Sequence, residues 1–428
     1  MQQTPGGSAP VWSRYTTRQR CIFLSALCLV SMWNYVDRII MSVLLEPIKN
    51  EFGATDSQMG LLTGVAFAIS YATFGIPVAR FSDRGNRRVI ISLSVAVWSF
   101  FTACCGLAGS FMQLAVARIG VGMGEAGSMP PSQSLIADYF PPEQRTRAFA
   151  VFTVTALIGN LIAFAVGSRL AVAYGWRAAF IGLGLPGLVI ALLAWLILKE
   201  PRRDIAAMAS SAPQEPFLTN LRMLASKRSY VLVNFAMIMY YCVSYGALSW
   251  FPAYLNRVMK LSLTEIGTVY GPVSAVATLI GALAGGFVTD WLAARDRRWL
   301  GWAPGIALFL CLPVLEIALS SESSTTFIIL ASLGSLLLTA ALPGMLSLMH
   351  VVCGSARRAM AVAMLYFFAN LIGLSLGPLI TGMLSDYFTP TFGSVGLRFG
   401  LMAATLFVIP CGLALAAAGS LAERDVEA

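Results

Sequence analysis

Apolar runs follow one another along nearly all of this 428-residue chain, separated by short polar breaks. Twelve runs are distinguished, at about 21–47, 58–80, 89–109, 111–138, 147–171, 177–198, 229–256, 264–291, 300–319, 325–352, 359–385 and 397–420. Each is long enough to cross the hydrocarbon core of a bilayer, which takes about 20 helical residues. In lipid a single span must satisfy its own backbone hydrogen bonds, so the runs are predicted to be helices. The pattern predicts an all-α membrane protein of twelve transmembrane helices, with both termini on one side.

The longest polar interruption, 199–228, divides the spans into six and six. The expected organisation is a disordered tail over 1–20, a six-helix bundle over 21–198, a linker over 199–228, a second bundle over 229–421 and a tail over 422–428. Within the linker, Phe217, Leu221 and Leu224 have helical spacing with Arg222 and Lys227 outside it. That pattern predicts a short amphipathic helix on the membrane surface.

The two halves repeat one another. Ser57-x-x-Gly60-x-x-x-Gly64 returns as Thr264-x-x-Gly267-x-x-x-Gly271, and Asp83 as Asp290, both 207 residues on. Arg147-Ala148-x-Ala150-Val151 matches Arg358-Ala359-x-Ala361-Val362, and Asn160-Leu161-Ile162 with Gly167 matches Asn370-Leu371-Ile372 with Gly377. Ser57 and Thr264 are expected to cap their helices. Repeated bundles with a seam between them are the architecture of alternating access.

Composition narrows the class. The chain is 57% hydrophobic and 11% charged, too apolar for soluble domains of this length. Of its 29 Lys and Arg, only Lys49, Arg169, Arg177, Arg257, Lys260 and Arg398 fall on the side away from the termini, and Arg38 and Arg118 lie within spans. The positive-inside rule then puts both termini in the cytoplasm of an integral multi-pass protein, expected in the plasma (inner) membrane. The net charge of +9 is a topology signal, and its scattered basic residues form no stripe for nucleic acid. The first residues lack the short apolar core and small-residue cleavage site of a removable signal, so the first span is expected to remain. The eight cysteines lie in or beside apolar spans without a CxxC pair, as small buried hydrophobes do. One histidine and no HExxH leave no metal site or catalytic triad in view. No cofactor is expected, the protein is expected not to be an enzyme, and a channel lacks a filter-like repeat.

Charges inside the spans are the candidate chemistry, because an ionisable group at that depth costs several kcal/mol unless paired or wetted. Asn34, Asp37 and Arg38 share one face of span one, and Arg118 and Glu125 one face of span four. If both spans start level at the outer surface, the span-one pair lies about 14–15 Å deep, between Arg118 at about 10 Å and Glu125 at about 21 Å. All four can then meet in a cluster that is neutral when fully ionised. Protonating Asp37 or Glu125 leaves it at +1, which favours an anionic group such as a phosphate, held by Arg38 and Arg118. The alternative is a static network that fixes helix packing. Gly120, Gly122, Gly124 and Gly127, with Pro130 and Pro131, interrupt span four beside Glu125, as a broken binding helix or as a packing kink. Tyr241 and Tyr245 share a face of span seven, and with Tyr366 and Asn370 of span eleven would suit an amphiphilic substrate. Ordinary packing is the alternative. His350 is read as packing and Glu316 as reaching interfacial water.

The loop after span two, Asp83-Arg84-Gly85-Asn86-Arg87-Arg88, resembles the Gly-x-x-x-Asp-Arg-x-Gly-Arg-Arg signature of the major facilitator superfamily, with Ala79 for the first Gly and Gly85 one position early. The second copy, Gly286-x-x-x-Asp290, keeps its Gly. The resemblance implies that Asp83, Arg84, Arg87, Arg88 and Asp290 form a cytoplasmic gate; topology alone is the other reading. Asn34-Tyr35-Val36-Asp37-Arg38, Gly122-Met123-Gly124-Glu125-Ala126 and Leu135-Ile136-Ala137-Asp138-Tyr139-Phe140 resemble the spinster group, and the first also organic-anion symporters. The spinster resemblance implies proton-coupled transport of lysophospholipid or sphingoid substrates. The organic-anion resemblance implies symport of small anions. Expected partners are membrane lipids, an amphiphilic or anionic small molecule and protons, and a monomer is expected.

Overall fold

The computed structural model describes residues 10–201 and 217–427, with the side chains of 76, 79, 80, 83, 84, 217–221, 354–359, 423, 424, 426 and 427 outside the description. Every regular element among the described residues is helical. Span one is Thr17–Val43, followed by a short rim helix, Leu45–Phe52. Span two covers 56–84, span three Arg87–Gly106 and span four 111–139, the last broken after Glu125 and resumed at Met129. Spans five and six form one continuous run, Pro142–Ile197, bent at Gly175, whose φ of 86° is the left-handed region that glycine alone enters freely. Spans seven, eight and nine are Arg228–Arg257, Leu263–Ala293 and Trp299–Ser320. Span ten begins at Ser324 and runs on without a helical break into span eleven, while span twelve covers 396–427. The twelve spans stand where the apolar runs put them.

The halves pack by the same rule. In the first, span one lies on span five, three on six and two on four; in the second, seven lies on eleven, nine on twelve and eight on ten. This is the two-bundle fold the repeat predicts. Its outer surface carries exposed Leu, Ile, Val and Phe, as lipid requires.

Local differences from the sequence reading are instructive. The helix caps stand two residues earlier than expected, at Thr55 and Ser262, each in a capping box with Gln58 or Glu265. Ser57 is released from that task and its hydroxyl bonds Asp386. Residues 1–9 of the tail expected to be disordered lie outside the described residues, and residues 10–20 are ordered: a 3-10 turn spans Val11–Arg14, and Arg20 donates to the carbonyls of Trp12 and Tyr15. A helix occupies Phe217–Ser226 before span seven.

Four spans carry a π-helical turn at matched places: Leu61–Val65, Ala163–Gly167, Ile266–Tyr270 and Ala369–Leu374, in spans two, five, eight and eleven. Such turns concentrate at functional positions. Here they lie where the halves meet, with span two against eleven and span five against eight.

Candidate substrate and coupling site

At the centre of the seam, the Arg38 guanidinium donates to Glu125 at 2.8 Å. Asp37, Arg118 and Glu125 are almost completely buried, at 0%, 1% and 0% exposure, and Arg38 is partly so. Arg118 donates to the backbone carbonyl of Asp37 at 3.4 Å, not to its carboxylate. Neither Asp37 oxygen has a hydrogen-bond partner; Trp98 and Thr102 are its polar neighbours and neither makes a bond with hydrogen-bond geometry. Asn34, one turn below on the same face, also leaves both amide atoms without a partner. The four charges do form one cluster, but pairing within it is uneven: Arg38 and Glu125 are locked, while Asp37 is not.

The break in span four explains Glu125. It is the last residue of the first segment, where Ala126 to Ser128 turn the chain before Met129. The glycines there permit close approach: a Cβ on Gly124 would stand 2.5 Å from the Trp98 nitrogen, and one on Gly122 2.6 Å from the Phe67 carbonyl. Span four is thereby pressed against spans two and three, and its acid is delivered to Arg38.

Aromatic rings surround the cations. Arg38 stacks on Phe67 at 5.1 Å, Tyr71 at 5.6 Å and Tyr35 at 5.9 Å, and Arg118 sits 5.4 Å from Phe67. Cation–π contacts of this kind help hold a desolvated guanidinium. Across the seam, Arg38 reaches the Tyr245 hydroxyl at 3.5 Å, and the rings of Tyr245 and Tyr241 lie 5.3 Å apart. Tyr366 lies beside both tyrosines, and its carbonyl accepts from the Asn370 amide at 2.8 Å. Arg38, Arg118, Thr63, Phe67 and Tyr245 line a cavity of about 20 Å³, room for a water or two. Phe67 and Tyr71 were not singled out from sequence; their i, i+4 spacing on span two was the available signal.

The rim opposite the termini holds a second charge cluster, absent from the sequence reading. Arg257, at the end of span seven, bridges to Glu46 at 2.5 Å and to Asp56 at 2.6 Å, both in the first half. Lys49 also pairs with Asp56, and Ser385 donates to it at 2.6 Å. Asp386 accepts the backbone N–H groups of Asp56 and Ser57 at 2.9 and 2.7 Å, binding the start of span two where its free N–H groups attract anions. Burial works against ionised Asp56, but Arg257, Lys49 and Ser385 outweigh it and hold its carboxyl below the usual range. Beneath this network the repeated glycines touch the other half: a Cβ on Gly60 would stand 2.4 Å from the Pro378 carbonyl, and one on Gly267 2.3 Å from that of Phe164. Among the described residues, the polar ties across the seam lie from the Arg38–Tyr245 level to this rim.

On the face of the termini, the described gate side chains, Arg87, Arg88 and Asp290, do not meet at the seam. The side chains of Asp83 and Arg84 lie outside those described. Arg87 is buried within its own half, paired with Asp138 at 2.7 Å and Glu200 at 2.6 Å, because the first turn of span three faces those two carboxylates. Arg88 stacks on Trp195 at 4.6 Å, and Asp290 is exposed. Away from the cluster, Glu316 accepts from Thr405, so its partner is a side chain of span twelve.

A family model described as Major Facilitator Superfamily matches residues 27–378. An MFS-type efflux pump of Mycolicibacterium smegmatis is 32% identical over 91% of this chain and 90% of its own. A hexuronate transporter of Bacillus subtilis is 28% identical over 90% and 92%. The mouse sphingosine-1-phosphate transporter SPNS2 is 27% identical over 90% and 75%. A solved structure of a bacterial homolog to the human lysosomal transporter Spinster, inward-facing and unoccupied, superposes with a TM-score of 0.87 at 29% identity, covering 96% of this chain and 99% of that one. The chain therefore belongs to the major facilitator superfamily, and within it resembles the spinster group.

Proposed function

We propose that this transporter is a proton-coupled secondary carrier that moves an amphiphilic, lipid-like anion of lysophospholipid or sphingoid type by alternating access. The observation that carries the reading is the Arg38–Glu125 pair at 2.8 Å, beside an Asp37 whose carboxylate oxygens hold no bond. Protonating Glu125 dissolves the pair and releases Arg38 to hold an anionic headgroup. Asp37 exchanges a proton without breaking a hydrogen bond. Tyr241, Tyr245 and Tyr366 offer apolar faces with polar tips to the remainder of an amphiphile, with Asn34, Arg118 and Asn370 as further polar contacts.

In this reading the rim away from the termini is closed by Arg257, and the site opens towards the termini, which the positive charges assign to the cytoplasm. The bundles 21–198 and 229–421 rock about the seam, with 199–228 as their surface linker. Asp83, Arg84 and Asp290 would engage when the cytoplasmic side closes, while Arg87 serves the integrity of its own half. The carrier acts as a monomer in the plasma membrane.

A second reading, symport of a small organic anion, is supported by the narrow arginine-lined cavity and by the hexuronate transporter relative.

The test is uptake by the purified protein in vesicles under an imposed pH gradient, offering lysolipids and sugar acids in parallel. Saturable, gradient-driven lysolipid uptake that is lost in Asp37→Asn and Glu125→Gln is expected. Full gradient-dependent uptake in both variants would refute the coupling role, and uptake of sugar acids alone would favour the second reading.

A further inference from the structure

A groove of about 340 Å³ runs between spans three and six on the lipid side of the first half, starting at the face of the termini. Ser92 and Ala96 line it from span three, and Leu188, Leu192 and Trp195 from span six. Arg88 stands at its mouth, stacked on Trp195 at 4.6 Å. Arg88, Ser92 and Ala96 are spaced i, i+4, i+8, so they form one row along span three, about 6 Å between successive members. From the rim inward the row reads cation, hydroxyl, apolar surface.

Two polar atoms on this row are unsatisfied. The Arg88 Nε is buried without a hydrogen-bond partner, and so is the Ser92 hydroxyl, in a residue only 5% exposed. A serine in a membrane helix ordinarily bonds a carbonyl of its own preceding turn, so a hydroxyl left without one, in a groove open to lipid, suits an acceptor from outside the chain. The charge at the mouth is likewise not consumed nearby: Asp138 and Glu200 are both engaged by the adjacent Arg87.

We propose that this groove binds one anionic phospholipid, with its phosphate on Arg88, an ester carbonyl on Ser92 and an acyl chain along Ala96, Leu188 and Leu192. The order of groups matches that of the lipid along the membrane normal. An anionic headgroup fits better than a zwitterionic one, whose own cation would meet the guanidinium. The site is separate from the central cluster, which Trp98 and Thr102 face from another side of span three.

The experiment uses the full chain in detergent micelles, with phosphatidylglycerol and phosphatidylcholine of equal chain length as probes and retained lipid counted by native mass spectrometry. The wild type should retain phosphatidylglycerol about fivefold over phosphatidylcholine, the contribution of one membrane-proximal cation. Arg88→Gln should abolish that preference, and Ala96→Phe, which fills the groove, should lower phosphatidylglycerol retention with Arg88 intact. Arg38→Gln, which removes the anion-holding cation of the transport site, should leave the preference unchanged, separating the two sites. Each variant is compared at unchanged size-exclusion profile, with Ser92→Ala as the milder replacement if Ala96→Phe fails to fold. Equal retention of the two lipids by the wild type, or a preserved preference in Arg88→Gln, overturns the proposal. So does competition by inorganic phosphate as strong as that by phosphatidylglycerol, because the acyl chain would then contribute nothing.

Discussion

The Arg38 guanidinium meets the Tyr245 hydroxyl at 3.5 Å, and the two residues are 207 positions apart. The same offset relates Ser57 to Thr264 and Asp83 to Asp290. Arg38 and Tyr245 are therefore equivalent positions of the two repeats, and a contact between equivalents lies on the axis that relates the halves. That axis runs along the membrane normal, and Arg38 stands near mid-depth on it, so rocking about a line in the membrane plane at that level moves the two rims by large amounts and this contact by little. Contacts at Arg38 can persist through the cycle, whereas those of Arg257 must break.

This position separates two substitutions. Tyr245→Phe removes one long hydrogen bond and is expected to lower the initial uptake rate by less than about tenfold. Arg38→Lys replaces a planar fork by a point charge that cannot stack on Phe67 while holding Glu125, and should nearly abolish uptake. Initial rates in proteoliposomes check both; the reverse order would remove Arg38 from the site.

Breaking the rim lock should open the face away from the termini. Arg257→Gln leaves Glu46 and Asp56 without their shared cation, and a charge-assisted bond contributes about 1.5–3 kcal/mol. A cysteine replacing Thr63, which lines the small cavity beneath the lock, should then be alkylated about tenfold faster in a chain stripped of its other cysteines. An unchanged alkylation rate would mean that the lock does not hold this state.

The same reporter gives the pH dependence its sign. Asp56 is held below the ordinary carboxylate range. An acid depressed in this way contributes its full stabilisation above its unperturbed value of about 3.9 and loses it only as pH falls through the depressed one. Thr63→Cys alkylation, expressed at each pH relative to that of the same thiol in the unfolded chain so that the thiolate fraction cancels, should therefore be flat from about pH 5 to 8. Asp56→Asn should raise it across that whole window, and a rise confined to the acidic end would contradict the assignment.

The glycine pair at the seam acts through space, not charge. Gly60→Val and Gly267→Val would each drive a side chain into backbone or side-chain atoms of the other half. Overpacking of this kind costs about 1–3 kcal/mol, here against the closed rim alone. Distances between spin labels on spans two and eleven should lengthen in both variants, with transport lost and the protein still folded. Wild-type distances would show that the helices relax locally instead.

Arg87 supports the fold of the first half. Its guanidinium is fully buried against Asp138 and Glu200, and Glu200 also accepts its backbone N–H. Glu200→Gln removes the better buried of the two carboxylates and should destabilise the protein by about 1–3 kcal/mol, with Asp138 keeping part of the compensation. A lowered Tm in detergent, relative to Arg88→Gln, is the readout. Equal melting of the two would mean that the Arg87 network contributes no stability.

The linear sequence determined how many times the chain crosses the bilayer, where it repeats, and which charges lie inside. Those properties depend on length, on hydropathy and on the absence of water to bond the backbone, all of which act residue by residue. Asp37, Arg38, Arg118 and Glu125 could be recognised as one group because spacing along two helices fixes their depth. Depth does not fix rotation. Which acid Arg38 holds, why Arg118 turns to a carbonyl, and how Phe67 enters between the two cations were decided by the angle at which each helix presents its face. An apolar sequence records that angle poorly, since lipid and a neighbouring helix demand similar side chains. The rim lock belongs to tertiary structure for the same reason: Glu46, Asp56 and Arg257 look like ordinary span-flanking charges until two bundles, far apart in sequence, close against one another.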